Sequence, residues 1–186
     1  MSKLIYLTNA SLDGYIEDAS GAFDLFPHND DVFAFTTELL RSFGTVLYGR
    51  RLYELMAVWE TDPAFAAQSE LFANFATAWQ APEKIVYSTT LAEVPTARTE
   101  IRRDFDTNAV RELKATATTD LAIGGANIAA QALDAGLVDE YQLIVWPAVL
   151  GGGKPALHSD ARVDLELLDE RRFDNGVVYL RYRIGA

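Results

Sequence analysis

The stretch Leu121–Leu133, LAIGGANIAAQAL, joins a short apolar run to a run of helix formers through Gly124 and Gly125. A glycine that merely continued a strand or a helix would cost about 1 kcal/mol relative to alanine. The pair therefore indicates that the backbone turns sharply here or is approached closely. A strand, glycines and a helix start form an anion-binding arrangement, because free N–H groups and the helix dipole face one point. A tight turn without any ligand explains the same residues.

Beyond this stretch, runs typical of strands and helices alternate along the chain. Helices are predicted over 29–44, 62–79, 107–115 and 126–135. Asn29 or Asp30 can cap the first of these helices, and Pro63 suits the first turn of the second. Strands are predicted over 4–8, 45–49, 84–89, 98–102, 121–125 and 140–147.

The last part of the chain has a different pattern. Two alternating segments within 164–184 flank Asp174-Asn175-Gly176, which is a strong hairpin signal. The earlier alternation of strands and helices predicts a mostly parallel sheet that is covered on both faces. The sequence therefore predicts one α/β domain over 1–186, with a twisted, mostly parallel central sheet, helices on both faces and a C-terminal antiparallel hairpin.

Composition excludes several classes of function. The 186 residues carry a formal net charge of −11, which repels phosphate backbones and argues against a nucleic-acid partner. Cysteine is absent, and the two histidines, His28 and His158, have no cysteine nearby, so we expect no metal site. No apolar run approaches the roughly 18 residues of a membrane span, and the N-terminal apolar run is too short for a signal peptide. We therefore expect a soluble cytoplasmic protein.

A second candidate anion site lies in VLYGRRLYE, residues 46–54. A buried strand ends at Gly49, and Arg50 and Arg51 begin the next helix. Arginine is disfavoured by the dipole at a helix start, so two arginines there indicate a bound anion. A solvated basic pair that offsets an acidic surface is the alternative.

A third candidate follows the strand IVY. Ser88, Thr89 and Thr90 carry hydroxyl groups that suit a phosphate or a ribose, although the same hydroxyls can cap a turn. Ligands of open α/β sheets bind beyond the carboxyl ends of the strands, and all three candidates lie at such ends. We therefore expect them to meet at one edge of the sheet.

Several motifs, taken in order, resemble the dihydrofolate-reductase-like family. They are SLDGYI (11–16), LYGRRLYE (47–54), VYST (86–89), IGGANIAAQAL (123–133) and VDEYQLIVWPAVLGGGKPAL (138–157). The resemblance covers nearly the whole chain. It is closest to the RibD C-terminal branch, the reductase domain of bifunctional riboflavin-biosynthesis enzymes, to which the motif P-x-x-x-G-G-G at 147–153 points.

The resemblance implies a nicotinamide cofactor, NADPH. Its pyrophosphate would be held by Gly124, Gly125, Ala126, Asn127 and Ile128. Its adenosine end, with the 2′-phosphate, would be held by Gly49, Arg50, Arg51, Ser88 and Thr89. Its nicotinamide would lie along Thr8, Asn9 and Ile16. The family also implies a cis peptide between Gly124 and Gly125, and a homodimer.

The implied activity is an NADPH-dependent reduction, with hydride passing to a carbonyl or imine carbon of a small substrate such as a phosphoribosylamino-pyrimidine. True dihydrofolate reduction and non-catalytic NADPH binding or scaffolding are the alternatives. Two departures bear on this choice. Leu52 replaces the threonine of the family's G-R-x-T motif, and the position of the acid of dihydrofolate reductases falls on Phe33. Asp31 is the nearest candidate catalytic acid, although Asp30 and Asp31 are also explained as helix-start residues.

Overall fold

The structure is a computed structural model that describes residues 1–22, 26–157 and 162–185. The strands are β1 (Leu4–Ser11), β2 (Tyr15–Glu17), β3 (Phe43–Gly49), β4 (Glu83–Tyr87), β5 (Thr99–Arg102), β6 (Asp120–Gly124), β7 (Glu140–Trp146), β8 (Lys154–Pro155), β9 (Leu165–Arg172) and β10 (Val178–Ile184). The helices are α1 (Asp30–Arg41), α2 (Arg50–Met56), α3 (Val58–Thr61), α4 (Pro63–Ala66), α5 (Glu70–Gln80), α6 (Thr107–Thr116) and α7 (Ala126–Asp134).

The described strands form one large sheet and one small one. The large sheet has the order β5-β4-β3-β6-β1-β7-β10-β9. Neighbours from β5 to β7 are parallel, whereas β10 pairs antiparallel with both β7 and β9. The predicted parallel sheet with a C-terminal antiparallel hairpin is confirmed. The small sheet, β2 with β8, was not predicted.

Both faces of the central strands of the large sheet are buried. Leu4 and Tyr6 of β1 pack in a cluster with Ala129 of α7, whereas Ile5 between them packs in a second cluster with Trp79 of α5. Successive side chains of a strand point to opposite faces, so this division places helices on both sides, as the sequence predicts.

The predicted long helix over 62–79 is wrong, because two helices occupy this stretch. Ser69 interrupts it: the Ser69 hydroxyl accepts a hydrogen bond from the backbone N–H of Phe72 (3.1 Å) and so caps a new helix, α5. The break also places the Phe65 ring against those of Trp59 (4.9 Å) and Phe72 (5.5 Å). Local capping and aromatic contact together outweigh the continuous apolar stripe.

A buried carboxylate joins the sheet to the N-terminus. The Glu140 side chain is only 1% exposed and accepts hydrogen bonds from Lys3 Nζ (2.6 Å) and Arg181 Nε (2.7 Å). Burial by itself raises the pKa of Glu140, but the hydrogen bonds from Arg181 and Lys3 outweigh it and bring the pKa below its ordinary value. The ionised form is therefore the one that stabilises the fold.

We expect Glu140→Gln to lower the free energy of unfolding by about 1.5–3 kcal/mol at pH 7, because charge-assisted hydrogen bonds are lost. Since the folded pKa is depressed, this contribution is present above the unfolded pKa of about 4.3 and is lost as the pH falls through the folded value. Urea denaturation of both proteins across this range measures the difference. Glu166→Gln, which removes the exposed pair with Arg183, is the control and should cost less than about 1 kcal/mol. Equal losses in the two variants would contradict the prediction.

Candidate functional site

Two adjoining cavities open where the parallel strands β3, β4 and β6 end. We call them the inner cavity, of about 400 Å³, and the outer cavity, of about 730 Å³. Thr8, Asn9, Phe26 and Leu52 line both of them and form their junction. The carboxyl edge of an open parallel sheet is the usual position of a ligand crevice.

The residues predicted to bind a cofactor all line these cavities. Thr8 and Asn9 lie at the junction, and Gly124 lines the inner cavity. The outer cavity is lined by Ile16, Gly49, Arg50, Arg51, Ser88, Thr89, Gly125, Ala126, Asn127 and Ile128. The fold thus brings together four stretches that are far apart in the sequence, 8–16, 49–51, 88–89 and 124–128.

The glycine pair, Gly124 and Gly125, makes a sharp turn and allows a close approach of the backbone. Gly125 has φ +101°, which makes the turn from β6 into α7, and a Cβ on it would lie 3.3 Å from the backbone nitrogen of Gly49. The sharp turn and the close approach are therefore both present. No described side chain caps α7, so the first N–H groups of the helix are left for a ligand. The predicted cis peptide between Gly124 and Gly125 is wrong: the bond is trans, and the positive φ of Gly125 makes the turn instead.

The outer cavity contains more positive charge than the sequence analysis predicted. Besides Arg50 and Arg51, Arg103 and Lys154 line it. Glu17, whose side chain is only 13% exposed, accepts a hydrogen bond from Arg51 Nη1 (3.0 Å) and lies 3.9 Å from Lys154 Nζ. This carboxylate holds two of the cations at the rim of the cavity.

Arg103 secures the loop that follows β4. Its Nη1 donates to the carbonyl oxygens of Ser88 (2.9 Å) and Leu91 (2.6 Å). The Ser88 hydroxyl accepts a hydrogen bond from the backbone N–H of Leu91 (2.9 Å), so it caps this turn, and its own hydrogen can still be donated to a ligand. Arg103 directly follows β5, and the rule that ligands meet the carboxyl ends of strands could have identified it.

Aromatic side chains form much of the wall of the inner cavity. The rings of Phe33 and Phe75 stack with their centroids 4.6 Å apart, and those of Phe26 and Trp146 stack with their centroids 5.3 Å apart. Trp146 Nε1 donates to Asn9 Oδ1 (2.9 Å) at the junction. None of the described residues that line this cavity is Asp, Glu, Lys or Arg.

The structure does not place Asp31 among the residues that line the inner cavity, and its role as a catalytic acid stays a prediction. Asn29 caps α1 by accepting a hydrogen bond from the Val32 N–H (3.0 Å), and Asp31 lies exposed in the first turn. Phe33 occupies the wall instead. His28, which the sequence analysis did not select, lies at the mouth of the cavity with its Nε2 2.8 Å from Asp30 Oδ1.

The loop 151–153 is fixed to the turn after β1. The Asp13 carboxylate accepts hydrogen bonds from the Ser11 hydroxyl (2.6 Å) and from the backbone N–H groups of Leu150 (3.1 Å) and Gly151 (2.8 Å). These bonds lower the pKa of Asp13 to about 2. Gly153 has φ +134°, and a Cβ on it would lie 2.9 Å from Asp18 Cα and closer still to the carbonyl oxygen of Glu17. The loop is therefore a close backbone approach, which pairs β8 with β2 and positions Glu17 and Lys154.

We expect Gly153→Ala to destabilise the protein by about 1–3 kcal/mol, because an alanine at this φ is strained and its Cβ collides with the backbone of β2. Thermal unfolding measures the loss. Gly151→Ala, at φ +73° with no atom within 4 Å of its Cβ, is the control and should cost less. A larger loss of stability in Gly151→Ala than in Gly153→Ala would contradict the close approach of Gly153 to the backbone of β2.

Two further findings concern the described residues. In 1–22, 26–157 and 162–185, no helix is long and apolar enough to cross a membrane. The same ranges contain no cluster of three or more histidine, aspartate or glutamate side chains that could hold a metal ion. His158 lies outside the described residues.

The chain is similar to known proteins in sequence and in fold. The chain is 32% identical over 185 residues to the uncharacterized protein YyaP of Bacillus subtilis (strain 168), covering 97% of this chain and 94% of that protein. Its fold is similar to that of a diaminohydroxyphosphoribosylaminopyrimidine deaminase/5-amino-6-(5-phosphoribosylamino)uracil reductase from Thermotoga maritima, with a TM-score of 0.66 and 15% identity over 99% of this chain and 57% of that one.

A dihydrofolate reductase from Enterococcus faecalis complexed with NADP(H) is also similar, with a TM-score of 0.67 and 14% identity over 99% of this chain and 97% of that one. These likenesses confirm the predicted dihydrofolate-reductase-like fold. The family described as the RibD C-terminal domain matches residues 2–179. The chain therefore belongs to the RibD C-terminal domain family.

Proposed function

We propose that this protein is an NADPH-dependent oxidoreductase that transfers hydride to a carbonyl or imine carbon of a small substrate. The observation that carries the proposal is the junction at Thr8 and Asn9, where a cation-rich cavity meets an aromatic one. A dinucleotide in the outer cavity and a small substrate in the inner cavity would meet at this junction.

The residues of the outer cavity fit the nucleotide. The uncapped start of α7 offers backbone N–H groups to a pyrophosphate, and the absence of side chains at Gly49 and Gly125 allows close approach. Arg50 and Arg51 would pair with the 2′-phosphate. When bound, NADPH supplies the hydride, and the protein positions it and excludes water.

The test has two readouts. Titration with NADPH, followed by its fluorescence, measures binding, and oxidation of NADPH in the presence of carbonyl and imine substrates measures turnover. 5-Amino-6-(5-phosphoribosylamino)uracil is the first substrate to assay, because a similar structure is named as its reductase. Failure to bind NADPH would reject the proposal. Tight binding with no turnover of any substrate would favour the alternative, a non-catalytic NADPH-binding or scaffolding protein.

Dihydrofolate reduction is the second candidate, favoured by the likeness to a dihydrofolate reductase. A pterin is protonated during its reduction, which requires a carboxyl group in the substrate cavity. Phe33 lies where that acid is expected, and Asp31 is exposed. We therefore expect dihydrofolate to be a poor substrate in steady-state assays of NADPH oxidation. Efficient turnover that collapses in Asp31→Asn would overturn this choice.

We also propose that the protein is a cytoplasmic homodimer. The cysteine-free sequence fits a reducing compartment, and the dihydrofolate-reductase-like family tends to form dimers. Leu165 and Leu167 are 40% and 49% exposed on β9, the last strand of the large sheet, and they form the surface that we assign to the dimer. Light scattering measures the mass, and a monomer at working concentration would reject the dimer.

A further inference from the structure

The inner cavity offers no counter-charge to an anion. Its described lining lacks Lys and Arg, and the sequence outside the described ranges, at 23–25, 158–161 and 186, contains neither. His28 stands at the mouth, about half exposed, and its ring already faces the Asp30 carboxylate. A phosphate or carboxylate buried here would remain unpaired, which is strongly unfavourable.

The cations of this region lie in the other cavity. Arg50, Arg51, Arg103 and Lys154 all line the outer cavity, where the nucleotide would place its own phosphates. Arg51 and Lys154 are held there by Glu17, and Arg103 by two backbone carbonyls. All four cations line the outer cavity, so a phosphate that the substrate carried into the inner cavity would meet no cation among its described lining residues.

The walls of the inner cavity suit a flat ring. The stacked pairs Phe33–Phe75 and Phe26–Trp146 present aromatic surface, and about 400 Å³ is at the small end of ligand sites. Asn9 supplies a polar contact. Because Trp146 Nε1 can only donate, the Asn9 oxygen must face it, which leaves the Asn9 amide N–H groups for a ligand carbonyl.

We propose that the substrate of this protein is a small, uncharged, planar ring compound, whose carbonyl or imine is conjugated with the ring and which carries no phosphate or carboxylate. This inference rests on the proposed function, because the outer cavity must take the nucleotide. It separates this chain from a reductase of a phosphoribosylated pyrimidine: the inner cavity accepts such a ring but not the phosphate.

Matched pairs of ligands test the inference by calorimetry. Isatin is compared with isatin-5-sulfonate, and uridine with uridine 5′-monophosphate, each with the protein alone and with the protein saturated with NADP⁺. Saturation prevents the anions from entering the outer cavity. We expect at least one neutral member to bind, and its charged partner to bind about tenfold more weakly or worse. Equal or tighter binding of the charged members, or no binding of either neutral member, overturns the inference.

A charge added to the inner cavity provides an independent check. Thr36 lines this cavity from α1, and Thr36→Lys would place a cation there. Where the neutral member of a pair binds, we expect Thr36→Lys to strengthen binding of the charged member of that pair by about tenfold. The uncharged control Thr36→Met should not strengthen it. Failure of NADP⁺ to bind rejects the proposed function, whereas with NADP⁺ bound the ratio of affinities within each pair decides this inference by itself.

Discussion

Replacing Arg50 or Arg51 with alanine is expected to weaken NADPH binding about ten- to a hundredfold and to leave NADH binding little changed. The two cofactors differ by the 2′-phosphate dianion. A charge-assisted hydrogen bond from arginine to that group contributes roughly 1.5–3 kcal/mol, which corresponds to this range of affinity. Fluorescence titration with each cofactor measures the two dissociation constants.

The structure refines this expectation. Arg51 is oriented by Glu17, at 3.0 Å, whereas Arg50 makes only a longer contact of 3.4 Å with Glu54 on its own helix. Both guanidinium groups are about half exposed and can turn toward a ligand. Arg98→Ala is the matched control, because Arg98 lines neither cavity and precedes β5 at the amino edge of the sheet. Equal loss of affinity for NADPH and for NADH in both Arg50→Ala and Arg51→Ala would reject the placement of the 2′-phosphate.

The position of the site could be predicted because it depends on short-range signals. Gly49 and Gly124 end recognisable apolar strands and Ser88 follows one, and parallel strands bring their carboxyl ends to one edge. The same logic would have reached Arg103 after β5. The roles of these residues in cofactor binding stay predictions.

Lys154 and Glu17 could not be predicted in the same way. They meet only because β2 pairs with β8, a contact that depends on Gly153 and on the Asp13 carboxylate reaching Leu150 across 137 positions. Local patterns carry no signal for such pairing. The end of one helix and the start of the next at Ser69 does have a local signal, the Ser69 cap. The apolar stripe continues across Ser69 and favoured a single helix instead.

The uncharged inner cavity is also a property of the fold. Its wall combines residues from β1, α1, α2, α5 and β7, and each of these stretches is ordinary on its own. The sequence did indicate that an acid is missing at the expected position. Spacing along the chain put that position at Phe33, with Asp31 as the nearest acidic residue, and in the structure Phe33 lines the cavity while Asp31 is exposed.

Gly125→Ala is expected to weaken NADPH and NADH equally, by about a hundredfold. An alanine at φ +101° stores roughly 1–3 kcal/mol of strain, and its Cβ would press on the Gly49 backbone at 3.3 Å. Relief of the backbone strain or of the contact with Gly49 would move the start of α7, where the pyrophosphate common to both cofactors is expected to bind. The ratio of the two affinities should therefore stay constant, unlike in the arginine variants.

A matched control lies just beyond the other end of the same helix. Gly136 also has a positive φ, +63°, but no atom lies within 4 Å of a Cβ placed on it. Gly136→Ala should lower the stability of the protein by about 1 kcal/mol, because the left-handed backbone favours glycine, and should leave both cofactor affinities unchanged. If Gly125→Ala retains wild-type affinity, or if Gly136→Ala loses as much, the pyrophosphate does not bind at the start of α7. If only NADPH is affected, the glycine turn contacts the 2′-phosphate instead, and the assignment of the two phosphate sites must be exchanged.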